Sequence, residues 1–141
     1  MGISKASAQW EGGFKTGKGL MKPAHGGDIQ FTAGSRFEGQ PSSNPEELIG
    51  AALAGCFSMA LSANLEKAGH PAKRVDTTAN VKLEMVDGAP KITTIELENE
   101  SEVPGINEQT FREQADKTKT GCPVSKALTG TEIKLNAKLK S

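Results

Sequence analysis

The sequence predicts an α+β fold, and three features carry that prediction. A long apolar segment has helix-start and helix-stop residues at its two ends. Two alternating segments flank an Asp87–Gly88 turn, and short glycine-punctuated strands precede the apolar segment. At 141 residues the chain suits one domain, 1–141, with one core of ordinary size.

The first third reads as an antiparallel meander. Ser4–Glu11 is a polar-rich strand ending at Gly12–Gly13. Lys18–Lys22 and Asp28–Thr32 are two more strands, separated by Pro23, Gly26 and Gly27. A helix then starts at Asn44–Pro45–Glu46–Glu47: Asn44 caps, Pro45 suits the first turn, and the two glutamates face the positive end of the dipole. It runs to Lys67, with Gly69 as the stop and Pro71 beyond. From Leu48 to Leu61 almost every residue is apolar or small. A helix apolar on all sides is buried on all sides. One domain of this size struggles to wrap it, so a partner subunit is expected.

The last part alternates. Val75–Val86 has strand period from Ala79 onward, Asp87–Gly88–Ala89–Pro90 turns the chain, and Lys91–Val103 alternates again through Ile92, Ile95 and Leu97. Pro104–Gly105 ends this hairpin. Asn107–Thr120 is an amphipathic helix closed by Gly121, Cys122–Leu128 a short second helix, and Thr131–Leu139 a final strand. No internal repeat or low-complexity segment stands out.

Seventeen basic and seventeen acidic residues leave no net charge. There is no basic excess to follow a phosphate backbone, which argues against nucleic-acid binding. Met1–Ala6 lacks the apolar core of a signal peptide and fails the myristoylation pattern. Leu48–Leu61 is shorter than the roughly 20 residues of a membrane helix. A cytoplasmic location is therefore expected, where two cysteines are reactive or inert more often than structural.

Cys56 lies among apolar neighbours, where burial raises a thiol pKa and makes it inert. A small core residue is the plain reading. A functional reading needs a positive charge, and nothing within one helical turn supplies it. Cys122, in Gly121–Cys122–Pro123, stands at a helix start, where backbone N–H groups favour the thiolate; a free cysteine at a turn is the competing reading. The two are 66 residues apart, so they form no Cys-x-x-Cys motif, and zinc would want more ligands. His25 and His70 read as solvated loop residues. Arg36, in Gly34–Gly39, is either a solvated charge or the donor for a buried sulfur anion. Glu46 by spacing alone serves the helix dipole.

Asn44–Ala52 followed by Ala54–Leu61 closely resembles the signature of the OsmC family of hydroperoxide peroxidases, relatives of the organic hydroperoxide resistance (Ohr) proteins. Gly121–Cys122–Pro123–Val124–Ser125 resembles that family's second cysteine motif. Trp10–Glu11–Gly12, Arg36–Phe37–Glu38–Gly39 and Val103–Pro104–Gly105–Ile106 resemble the OsmC branch, so the likeness spans the chain in order. It implies an intertwined α+β homodimer, with curved antiparallel sheets around two long central helices and active sites at the subunit interface. It implies a peroxidatic Cys56, a resolving Cys122, an Arg36 that activates the sulfur and a Glu46 that holds this arginine. It also implies reduction of organic hydroperoxides in preference to hydrogen peroxide, in oxidative and osmotic stress defence. No metal, haem or flavin is called for. The reductant is a dithiol, in Ohr relatives a lipoylated protein.

On that reading the Cys56 thiolate attacks the O–O bond, becomes a sulfenic acid and condenses with Cys122 to a disulfide. Leu53, Phe57 and Met59 are expected to shelter the alkyl chain. Glu46 and Cys56 stand ten residues, about 15 Å, apart on a straight helix. One Arg36 cannot easily touch both within a protomer, so the Arg36–Glu46 pair at a given Cys56 is expected from the other subunit. A hydrophobic-ligand-binding dimer with inert thiols, and a redox sensor using the same disulfide, are the competing functions.

Overall fold

The computed structural model describes residues 2–140, so Met1 and Ser141 of the expected domain lie outside the described residues. The chain divides into two compact units, Met1–Leu48 and Ile49–Ser141.

The first unit contains β1 (Ala6–Glu11), β2 (Lys18–Pro23), β3 (Ile29–Phe31) and the short helix α1 (Ala33–Phe37). The strands form the expected antiparallel meander in the order β1-β2-β3. Gly19 on β2 pairs with Trp10 on one side and Phe31 on the other. The Trp10 and Phe31 rings meet over it, with centroids 5.5 Å apart. A methyl group at Gly19 would stand within 2.5 Å of the Phe31 ring and 2.7 Å of the Trp10 ring. Only glycine lets the two rings close there. The helix α1 was not expected: its residues read as a loop. Thr32 and Ser35 explain it, because each side chain accepts from the other's backbone N–H at 2.9 Å. This reciprocal box satisfies two donors of a helix start.

Helix α2 (Pro45–Lys67) begins at the end of the first unit and continues, without a break, into the second. Its start is as expected, with the Asn44 side chain accepting from the Glu47 N–H at 2.8 Å. Its stop is Gly69, at φ +88°, where the His70 N–H reaches back to the Leu65 carbonyl. The helix has 23 residues, and its most apolar window has a mean hydropathy of 1.7. Unlike the shorter Leu48–Leu61 stretch, the whole of α2 is, by length and hydropathy alone, sufficient to cross a bilayer.

In the second unit the rest of α2 packs with β4 (Arg74–Val86), β5 (Ala89–Glu102), α3 (Glu108–Gly121), α4 (Pro123–Ala127) and β6 (Glu132–Lys140). Leu53, Phe57, Leu61 and Leu65, at helical spacing of four, are fully buried on one face of α2. They form one core with Ile95, Leu97, Val103, Phe111 and Ala115. Each large side chain there contributes about 1.5–3 kcal/mol by leaving water. The opposite face of α2, with Ala51, Ala52, Gly55, Met59, Ser62 and Ala63, is exposed. A single chain thus buries one side of the helix rather than all of it.

The sheet is β4-β5-β6, and it corrects one expectation: β5 and β6 run parallel, although β4 and β5 are antiparallel. The chain leaves β5 and crosses back through α3 and α4, and such a crossover returns a strand in the original direction. Asp87 and Gly88, at φ 51° and 81°, make the two-residue hairpin turn, so β5 starts at Ala89 rather than Lys91. The pairing slips at Lys82/Leu83, which leaves Thr93 unpaired and changes the strand's phase. That is why Ile92 and Ile95, an odd number of residues apart, both pack against the core.

Candidate active site

In the first unit, Arg36 lies in the last turn of α1. Ser35 beside it donates to the Ser43 carbonyl at 2.7 Å, and the Asn44 side chain donates to the Ser35 carbonyl at 3.1 Å. These bonds tie α1 to the start of α2 and bring Arg36 to Glu46. The guanidinium donates through Nε at 2.9 Å and Nη2 at 2.7 Å, both to Glu46 Oε1. Glu46 is 6% exposed, and its Oε2 is buried with no hydrogen-bond partner among the described residues. The Arg36 side chain keeps 37% of its surface. Glu46 therefore holds one edge of the guanidinium and leaves the rest open.

Beside this pair is a cavity of about 430 Å³, walled by Trp10, Phe14, Phe31 and Phe37 together with Arg36. The Phe14 and Phe37 rings are 6.2 Å apart, and the Arg36 guanidinium carbon is 5.2 Å from the Phe37 centroid. Trp10, Phe14 and Phe37 are exposed large apolar residues. Sequence reasoning missed this wall. The available signal was composition: four of the six aromatic residues fall within the first 37 positions.

In the second unit, Cys56 and Cys122 stand side by side as free thiols, near enough to influence each other's ionisation. Their access differs: Cys56 is partly exposed, whereas Cys122 is 1% exposed. Cys122 caps α4, with Pro123 in the first turn, as the sequence suggested. Its N–H donates to the Thr118 carbonyl, and Thr118 in turn accepts from Asn64 of α2 at 2.8 Å. Helix α2, which carries Cys56, is thereby tied to the turn that carries Cys122.

The two sulfurs ionise differently. Burial pushes the Cys56 thiol above its ordinary 9.0, the neighbouring Cys122 adds to this, and a backbone hydrogen bond from Val124 opposes it. Burial also works upward on Cys122. There the Ser125 hydroxyl, the Ser125 N–H, the Cys56 thiol and the Val124 N–H outweigh it, and the pKa falls below 9.0. Among the described residues of its own unit, no cation lowers the Cys56 pKa.

The expected alkyl-chain shelter needs revision. Leu53 and Phe57 are fully buried in the core, while Met59 is 76% exposed. Phe57 and Met59 are two positions apart, roughly 200° around a helix, so the three cannot line one wall.

The family model for OsmC-like proteins matches residues 38–138. The chain belongs to the OsmC family. It is 50% identical over 139 residues to the peroxiredoxin OsmC of Escherichia coli K12, spanning 97% of this chain and 96% of that protein. Among solved structures, the OsmC-like protein of Mycoplasma pneumoniae superposes with a TM-score of 0.79 at 15% identity, over 99% of both chains. The organic hydroperoxide resistance protein OhrB of Bacillus subtilis does so with 0.69 at 25% identity, over 96% of this chain and 98% of that one. The OsmC fold therefore extends along essentially the whole chain.

Proposed function

We infer that this OsmC-family chain is a cysteine-based peroxidase that reduces organic hydroperoxides, and hydrogen peroxide less well, in defence against oxidative and osmotic stress. The observation that carries the reading is the thiol pair: a partly exposed Cys56 beside a buried Cys122, each acting on the other's ionisation. A peroxide can approach the first, and the second is placed to meet its oxidised product. A thiolate attacks the distal oxygen, the O–O bond breaks, and the alkoxide takes a proton to leave as alcohol. Cys56 becomes a sulfenic acid, and Cys122 condenses with it to a disulfide and water. A dithiol reductant then reopens the bridge by exchange. In a family with Ohr relatives, a lipoylated protein is the natural candidate.

Arg36 supplies the cation that Cys56 lacks, and Glu46 orients it. We assign this pair to the other subunit of a homodimer. The open face of α2, rich in Ala and Gly, allows close approach of a second copy. Helix α2 runs without a break from Glu46 to Cys56, which keeps the two about 15 Å apart along its axis. The aromatic cavity beside Arg36 is the shelter for an organic substituent, in place of the Leu53–Phe57–Met59 group. We read α2 as a core helix rather than a membrane span, and place the protein in the cytoplasm, where its thiols stay reduced.

Thiol titration before and after one equivalent of cumene hydroperoxide tests the reading. The expected result is a loss of both thiols per chain, restored by a dithiol. A hydrophobic-ligand-binding dimer would lose none, and a redox sensor would lose both without sustained turnover.

A further inference from the structure

We propose that Ser125 is a catalytic residue of the resolving step, its hydroxyl serving the Cys122 sulfur in both protonation states. The proposal rests on the reading of Cys122 as the resolving cysteine. A resolving thiol has to lose its proton before it attacks, and Cys122 sits out of water's reach at 1% exposure. Ser125, at 5%, is as secluded.

Ser125 makes two hydrogen bonds with this sulfur, and the Cys56 thiol and the Val124 N–H contribute less. Cys122 Sγ donates to Ser125 Oγ at 3.3 Å, and the Ser125 N–H donates to Sγ at 3.4 Å. The Ser125 hydroxyl spends its own proton on the Cys122 carbonyl at 2.9 Å. One rotation about the Cβ–Oγ bond redirects that proton to the sulfur. The hydroxyl thus accepts from the thiol and donates to the thiolate, with no backbone movement, because Ser and Thr hydroxyls can do both. Among the described residues, the titratable group that shifts this thiol is Cys56, from α2.

In the reaction the Cys122 sulfur attacks the sulfenic sulfur of Cys56. The S–S bond forms and the S–O bond breaks. Hydroxide leaves with the bonding pair and takes up the proton given up by Cys122, so one thiol and one sulfenic acid yield one disulfide and one water. The serine hydroxyl stabilises the thiolate before attack and is itself unchanged.

Rapid-quench mass spectrometry with one equivalent of cumene hydroperoxide, with dimedone to trap sulfenic acid, follows both steps in one sample. The readout is the rate of disulfide closure relative to sulfenic acid formation. In S125A this ratio is expected to fall about tenfold near pH 7, the effect of one lost hydrogen bond to a charged group. The deficit should narrow as pH rises and deprotonates Cys122 unaided, and S125T should restore closure. Closure in S125A at the parental ratio and pH profile would overturn the proposal. So would a slowing equal at every pH and not relieved by S125T, the mark of a merely structural cap. If the parental protein forms no Cys56–Cys122 disulfide at all, the reading of Cys122 fails first.

Discussion

Replacing Cys56 by serine is expected to reduce hydroperoxide turnover to the uncatalysed background, a loss of about 10³-fold or more. A serine hydroxyl is not ionised near neutral pH, and it cannot become the sulfenic acid through which the cycle passes. The partner substitution should behave differently. Cys122→Ser removes only the resolving thiol, so one equivalent of peroxide is consumed and Cys56 stops as a sulfenic acid, open to further oxidation. Single-turnover peroxide consumption measured on both variants separates the roles. The accessibility of the two sulfurs argues for this assignment, because Cys56 is partly exposed and Cys122 is closed off. The reverse pattern, with single turnover in C56S and none in C122S, would exchange the roles.

Arg36→Met should have the second largest effect, and it should depend on pH. Burial and the neighbouring Cys122 hold the Cys56 pKa above 9.0 in the absence of a cation. A thiol above 9.0 is less than about 1% thiolate at pH 7. A guanidinium that brings the midpoint down to pH 7, where half the thiol is ionised, supplies about 2.7 kcal/mol or more at 1.36 kcal/mol per pKa unit, and fuller ionisation there takes more. The sign follows directly. Because the raised pKa withholds the reactive anion, R36M should lose about 10²-fold at pH 7, then recover roughly tenfold per pH unit until the thiol itself titrates. The parental rate should be flat over the same range. In mixed dimers, R36M and C56S protomers should regain activity, since one subunit then offers an intact cysteine and the other an intact arginine. No regain on mixing would place the cation within a single chain.

The residues that made most of the fold legible were those with one dominant local preference. Asn44, Pro45 and Gly69 bound α2 where their chemistry requires, and Asp87–Gly88 turns the hairpin. What escaped depended on partners distant in sequence. The parallel pairing of β5 with β6 cannot be read from alternation, which is the same for both directions. The inner face of β4 before Ala79 shows no apolar period because Thr77 faces inward, bonded to Ser58 and Asn99. Helix α1 is only five residues long and contains a glycine, so neither propensity nor period announces it; the Thr32–Ser35 box alone does.

The site divides in the same way. Cys122 was legible as a cap because Pro123 follows it, whereas the pairing of Arg36 with Glu46 could not be read from spacing alone. The apolar residues nearest Cys56 in sequence were misleading. Leu53 and Phe57 close the core instead, and the available apolar wall is built from aromatics of the first unit. Apolar character marks a residue as needing cover without saying whether its own chain or a ligand provides it.

The most direct measurement is the ultraviolet absorbance of the Cys56 thiolate, titrated in the C122S protein so that only one sulfur is present. A guanidinium sustaining the anion predicts a midpoint well below neutrality, returning to 9.0 or higher when Arg36 is also replaced by methionine. Identical midpoints with and without Arg36 would contradict the account.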